Sequence, residues 1–182
     1  MLDKKQIRND ILKIRDNLTK DFVLENSRKI TEKVLNTNEY KEANCIYIYM
    51  NTRNEVSTKD IIINALKKGK KVAIPKIENN KMEFYYISNI DEIKSGYFGI
   101  QEPIGNVIAK EKHILMIMPG VAFDIGKHRI GYGKGFYDRY LSENTVDKKI
   151  ALAFSFQILN KIPYDNHDIV PDIIVTEKEN IY

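Results

Sequence analysis

Ile114-Leu115-Met116-Ile117-Met118-Pro119-Gly120-Val121-Ala122-Phe123-Asp124 and, directly after it, Ile125-Gly126-Lys127-His128-Arg129-Ile130-Gly131-Tyr132-Gly133-Lys134-Gly135-Phe136-Tyr137-Asp138 decide the fold. The opening five residues are apolar without a break, which suits a strand buried on both faces of a parallel sheet. A helix is predicted from about Phe136 onward, so the glycine-rich stretch links a strand to a helix. Ligands of open α/β sheets bind beyond the carboxyl ends of strands, where this stretch lies. Alternating Gly131, Gly133 and Gly135 let the backbone come close to a ligand and turn N–H groups toward it. The next helix N-terminus favours negative charge, and Lys127, Arg129 and Lys134 add cations. The stretch reads as an anion cradle, most naturally for nucleotide phosphates.

Two common phosphate loops do not fit. Gly126 and Gly131 have the outer spacing of a Walker A loop, but Tyr132 follows where Lys is required. The spacing G-x-G-x-G also departs from the dinucleotide fingerprint G-x-G-x-x-G.

Outward from this stretch, Ala151 to Phe154 and Ile173 to Val175 are further buried-strand candidates. Ile46 to Met50 is a β-branched and aromatic run, hence a strand. Thr58 is placed to cap a helix through Ile61, Ile62, Ala65 and Leu66 to Lys68, stopped by Gly69. Val72 to Ile74 reads as a short strand closed by Pro75, completing a β-α-β unit. Glu78 to Lys81 reads as a turn and Met82 to Ile87 as a strand, and Ser95 to Pro103 as irregular. A second helix is predicted over Phe22 to Leu35, with Phe22, Val23, Ser27, Ile30, Val34 and Leu35 inward. In the first helix Ile7, Ile11, Ile14 and Leu18 form an apolar stripe, and Asp3 with Gln6 resembles a capping box. Lys4 and Arg8 share another face of its first turns, where cations are mildly disfavoured by the helix dipole. Strands alternating with helices imply an α/β sheet with right-handed crossovers.

The chain has 182 residues, suiting a single domain over 1–182. A formal net charge of +4 permits an anionic ligand and is too small to argue for nucleic acid. Cys45, the single cysteine, lies in an apolar run and reads as a buried thiol; one cysteine fits a reducing cytoplasm. No stretch approaches the ~20 apolar residues of a membrane span, and the N-terminus has no apolar core of a signal peptide. His113, His128 and His167 have no zinc-site spacing.

Taken together, these motifs resemble the 5-formyltetrahydrofolate cyclo-ligase family, also called methenyltetrahydrofolate synthetase. The most specific part is Pro119-Gly120, Phe123-Asp124 and Arg129-Ile130-Gly131-Tyr132-Gly133-Lys134-Gly135-Phe136-Tyr137-Asp138. Lys4 and Arg8 match the basic pair that opens the family's first helix, and Arg15 its later arginine. Met50 to Glu55 match the loop after the first strand, Gly99 to Pro103 its Gly-Ile-x-Glu-Pro, and His167-Asp168 its C-terminal acidic position.

The resemblance implies a three-layer α/β/α fold with a mostly parallel central sheet, like the NagB/RpiA-like fold. It implies cyclisation of 5-formyltetrahydrofolate to 5,10-methenyltetrahydrofolate, with ATP as co-substrate, Mg²⁺ as cofactor, and ADP and phosphate released. Implied ATP contacts are Lys4, Lys5, Gln6, Ile7 and Arg8, then Arg129, Ile130, Gly131, Tyr132, Gly133, Lys134, Gly135, Phe136 and Tyr137. Implied folate contacts are Met50 and Glu55, with Tyr132, Gly133, Lys134, Gly135 and Phe136. Lys134 and Arg129 are the expected catalytic cations, and Asp138 and Asp168 the expected Mg²⁺ ligands. Arg15 stays open between a functional role and a structural ion pair. The expected partners are two small molecules, without nucleic acid or membrane, for a cytoplasmic monomer. The alternative is a relative that binds nucleotide or folate without turnover. A nucleic-acid binder using Lys127, Arg129 and Lys134 is opposed by the mild charge. A sugar-phosphate isomerase is opposed by the 50–55 loop and the basic first helix.

Overall fold

The computed structural model describes residues 3–96, 101–165 and 168–182. Its frame is a seven-stranded sheet in the order β12 (Asn180–Ile181), β11 (Ile173–Val175), β9 (Lys148–Leu152), β6 (Leu115–Met118), β1 (Cys45–Ile48), β2 (Lys71–Glu78), β3 (Lys81–Ile87). The five inner strands run parallel, and β12 and β3 close the two edges antiparallel. Alternate residues of the inner strands go to opposite faces. Ile46, Ile48, Leu115, Ile117, Ile150 and Leu152 pack with Ile30 and Val34 of α2 (Lys20–Asn36) and Ile61, Ile62 and Ala65 of α4 (Lys59–Lys67). Cys45, Tyr47, Ala73, Met116, Met118 and Ala151 pack with Phe84 and with Tyr140 of α5 (Phe136–Glu143). Burial on both faces is why these strands read as continuous apolar runs. The mostly parallel, helix-covered sheet is the predicted α/β architecture.

Several local expectations are corrected. Pro75 does not close its strand, because β2 runs on to Glu78 paired with β3. The β1 register ends at Ala73, so beyond it no ladder on that side asks for the N–H that proline lacks. Thr58 does not cap α4 with its side chain; its hydroxyl donates to the Tyr49 carbonyl at 2.8 Å, and Asn51 accepts the Thr58 N–H. Inside the stretch read as irregular, β4 (Ile93–Ser95) pairs with β5 (Gln101–Pro103). Tyr97 to Ile100, including the Gly99-Ile100 of the family resemblance, lie outside the described residues. A five-residue helix, α3 (Asn38–Glu42), had no reading from sequence.

The first helix, α1 (Lys4–Asp16), packs away from the main sheet. Ile7 and Ile11 meet Val121, Ala122, Ile130 and Ile162. That surface is a small sheet, in which β7 (Ala122–Asp124) lies between β10 (Ile158–Leu159) and β8 (Arg129–Ile130). The expected stripe fails at Ile14, which is 49% exposed, while Arg15 is fully buried. Ridges of residues four apart are inclined to a helix axis, and here the buried line follows Ile7, Ile11 and Arg15. The Asp3 carboxylate accepts the Gln6 N–H at 2.7 Å, but the Gln6 side chain turns to Asp10, so only half of the capping box forms.

This topology fixes where a ligand site belongs. From β1 the chain moves to β2 on one side, whereas from β6 it moves to β9 and β11 on the other. The order therefore reverses between β1 and β6. A crevice opens at such a switch point, beyond the carboxyl ends. The segments leaving those ends are the 49–58 loop and the glycine-rich 119–135 stretch.

Candidate active site

The 49–58 loop is tied to itself and to α1. The Tyr49 hydroxyl donates to the Val56 carbonyl at 2.8 Å, and the Asn54 amide donates to the Arg15 carbonyl at 3.1 Å. Arg53 and Asn54 take positive φ, which turns the chain sharply enough to send Glu55 inward. The Glu55 carboxylate is 6% exposed. Its Oε2 accepts from the Thr52 N–H at 2.6 Å and, at 3.3 Å, from the Thr52 hydroxyl. Its Oε1 accepts the hydroxyl of Tyr132 and faces Arg15 Nη1 at 3.9 Å. Burial pushes the Glu55 carboxyl above the ordinary glutamate range, against the opposing pull of Arg15, Tyr132 and Thr52. Met50 is buried in the main core beside Tyr49 and Val56.

The glycine loop lies against both this pocket and α1. Arg8 Nε donates to the Gly131 carbonyl at 2.8 Å, joining residues 123 positions apart. Gly133 has φ +89°, and a Cβ there would stand 3.4 Å from the Arg8 guanidinium carbon. The positive φ is what calls for glycine here, while a Cβ would make only ordinary contact with Arg8. Gly135 has φ +64° and is the N-cap of α5, so the loop ends on a helix N-terminus. Lys134 is exposed, its carbonyl held by Arg139 Nη1 at 2.7 Å. No hydrogen bond or ion pair engages its ammonium among the described residues.

Other predicted residues are placed differently from expectation. Arg129 is 7% exposed; its Nη2 donates to Asp138 Oδ1 at 2.7 Å and its Nη1 to the Pro119 carbonyl at 3.4 Å. It clamps the start of α5 through Asp138, the partner it would have to share to meet a phosphate as expected. Lys127 leaves the cradle altogether, donating to the Asp172 carbonyl at 2.9 Å. Ile7 and Ile130 bury their side chains in the core, leaving only backbone for a nucleotide. Lys5 and Gln6 are exposed, with Gln6 bonded to Asp10. Phe136 and Tyr137 are half-buried, with Arg129 over the Tyr137 ring at 5.9 Å.

Lys4 Nζ meets Asp165 and Asp168, each at 2.5 Å, so α1 and the C-terminal loop come together. Burial alone would raise the Asp168 carboxyl, but Lys4, the Asp165 N–H and Arg129 beyond them carry it below the ordinary range. Asp138 is joined to this loop by the N–H of Ile169, next to Asp168, which reaches its Oδ1 at 3.4 Å. His167 lies outside the described residues. Sequence reading missed Thr52 and Asp165, which hold Glu55 and Lys4. Only the Thr52-x-x-Glu55 and Asp165-x-x-Asp168 spacings hinted at them.

Two expected carboxylates in one region invite a metal. No cluster of three or more His, Cys, Asp or Glu able to hold an ion occurs among the described residues. Mg²⁺ commonly uses one or two carboxylates with phosphate oxygens and water, so this donor set suits an ion arriving with a nucleotide. Among the described residues no helix is long and apolar enough to cross a membrane.

Comparison with known proteins adds an independent line. The model of the 5-formyltetrahydrofolate cyclo-ligase family matches residues 1–177. A 5-formyltetrahydrofolate cyclo-ligase of Mus musculus is 32% identical, with 85% of this chain and 83% of that protein covered. One from Haemophilus influenzae is 32% identical, with 94% and 97% covered. The solved structure of Aquifex aeolicus 5,10-methenyltetrahydrofolate synthetase superposes with a TM-score of 0.87 at 31% identity, covering 97% of this chain and 91% of that one. That of the Mycoplasma pneumoniae synthetase gives 0.76 at 26%, covering 97% and 99%.

Proposed function

The chain belongs to the 5-formyltetrahydrofolate cyclo-ligase family, and from that membership we propose how its residues divide the reaction. It cyclises 5-formyltetrahydrofolate to 5,10-methenyltetrahydrofolate, with ATP as co-substrate. One observation carries the division of labour: Tyr132 reaches Glu55 while the neighbouring Gly131 carbonyl holds Arg8. A nucleotide side and a folate side thus share one loop.

The formyl oxygen is a poor leaving group until it is phosphorylated. It attacks the γ-phosphorus of ATP, and the bond to the bridging oxygen breaks, releasing ADP. N10 then adds to the formyl carbon and gives up its proton, and phosphate leaves with the former formyl oxygen. The protein has to hold acceptor and donor in line and neutralise moving charge, with no need for a nucleophile of its own. The N–H groups of 131–135 and the start of α5 bind phosphate oxygens, and Arg8 supports the turn from behind. Lys134 is the mobile cation that follows the transferring group. Lys4 borders the nucleotide and trades its aspartate partners for phosphate. Glu55 faces the folate and accepts from its ring N–H groups, and Met50, in the core at the start of the same loop, backs that side of the pocket. Asp138 and Asp168 would hold Mg²⁺, with Arg129 positioning Asp138. Such an ion, when bound, neutralises phosphate charge. We place the enzyme in the cytoplasm as a monomer acting on small molecules alone.

Labelling the formyl oxygen with oxygen-18 tests this route. The released phosphate is expected to carry the label, read by mass spectrometry. Unlabelled phosphate formed alongside the methenyl product would exclude phosphorylation at that oxygen.

A further inference from the structure

We propose that Arg15 completes the folate-ring edge begun by Glu55, its guanidinium donating to the 4-oxo oxygen beside the amino and N3–H donors from which Glu55 accepts. This rests on the reading of the 49–58 pocket as the folate side.

The starting observation is an unpaid debt in the core. Arg15 is fully buried, and among the described residues none of its three guanidinium nitrogens has a hydrogen-bond partner. Its nearest counter-charge is Glu55 Oε1 at 3.9 Å, and its guanidinium lies 5.4 Å from the centre of the Tyr132 ring. A buried cation without hydrogen bonds is costly, and an ion pair at this separation does not satisfy five N–H donors. A residue serving packing alone gains nothing from those donors at the third buried position of α1. Unmet buried donors ask for a partner that is absent.

The geometry also supplies the route by which that partner arrives. Tyr132 covers both groups, yet it is itself 40% exposed. It stands between Gly131 and Gly133, the latter at φ +89°. When the Tyr132 hydroxyl leaves Glu55, Oε1 and the guanidinium open to the same space, while Oε2 stays fixed by Thr52. The exposed wall then offers acceptors beside donors. A pterin presents the complement in the same order, with two donors followed by an oxo acceptor. Tyr132 holds the place of that edge until the ligand takes it.

The test uses the full chain and Arg15→Met and Arg15→Lys, with separate calorimetric titrations by 5-formyltetrahydrofolate and by a non-hydrolysable ATP analogue. Arg15→Met is expected to weaken folate binding roughly 10- to 100-fold, as loss of a charged hydrogen bond does. ATP-analogue affinity and the thermal midpoint are expected to stay near wild type, and Arg15→Lys to recover part of the folate affinity. A 4-amino ring analogue, which lacks the oxo acceptor, should be discriminated against less by Arg15→Met than by wild type. Unchanged folate affinity in Arg15→Met, or equal losses for both ligands with a lowered midpoint in both variants, would overturn the proposal. If Arg15→Met does not fold, a selective folate loss in Arg15→Lys supports it and unchanged folate affinity overturns it. Wild-type protein that takes up no folate would instead sink the folate reading, and this edge with it.

Discussion

Lys134→Ala is expected to lower turnover by about 10²- to 10³-fold, the usual loss when one preorganised charge partner of a transition state is removed. Its side chain is solvent-exposed, and among the described residues its ammonium engages no group, so no fold interaction seen there is lost with it. Its backbone is held nonetheless, by Arg139 Nη1 donating to the Lys134 carbonyl at 2.7 Å. A charge on a fixed loop but free at its tip is suited to a phosphoryl group that moves between two oxygens. The loss should therefore appear in kcat, with a much smaller change in KM for ATP and none in the thermal midpoint. Steady-state kinetics beside a melting curve check this. Turnover near wild type would remove Lys134 from the mechanism.

Glu55→Gln should act on the other ligand. Removing one partner of a buried, hydrogen-bonded charge costs roughly 2–5 kcal/mol, so folate affinity should fall by about 30-fold or more. The variant also brings a pH signature. Burial raises the Glu55 carboxyl, so between the ordinary glutamate value and the raised one the native state holds a proton that the unfolded chain has lost. Stability of the ligand-free protein therefore falls as pH rises through that window. Ring N–H donors need the ionised carboxylate, so folate binding expels the proton and tightens with rising pH over the same window. Both slopes should vanish in Glu55→Gln. Melting curves and folate titrations across about pH 4 to 8 measure them, and identical slopes in both proteins would clear Glu55 of the role.

The sheet was legible because its inner strands are apolar on both faces, and a run as short and unbroken as Ile114 to Met118 suits a buried strand. The small sheet was not, since β8 and β10 have two residues each and no period can show in two residues. Pro75 misled because its effect depends on where β1 ends, a tertiary fact. The site divides in the same way. The glycine loop announced itself, but its cations did not sort themselves. Among the described residues the Lys134 ammonium has no partner, while Lys127 and Arg129 donate to Asp172 and Asp138. Their difference lies in which side of β8 and its turns each points to. Arg15 was open in the sequence between a functional role and a structural ion pair, and its burial 3.9 Å from Glu55 is the tertiary fact that no sequence spacing carries.

The most direct measurement mixes the purified protein with 5-formyltetrahydrofolate and MgATP, no other enzyme present, and follows the near-ultraviolet absorbance of the methenyl product. Absorbance should rise only when all three components are present, with ADP appearing in equal amount. No rise at high enzyme concentration would contradict the assignment of one loop to both ligands.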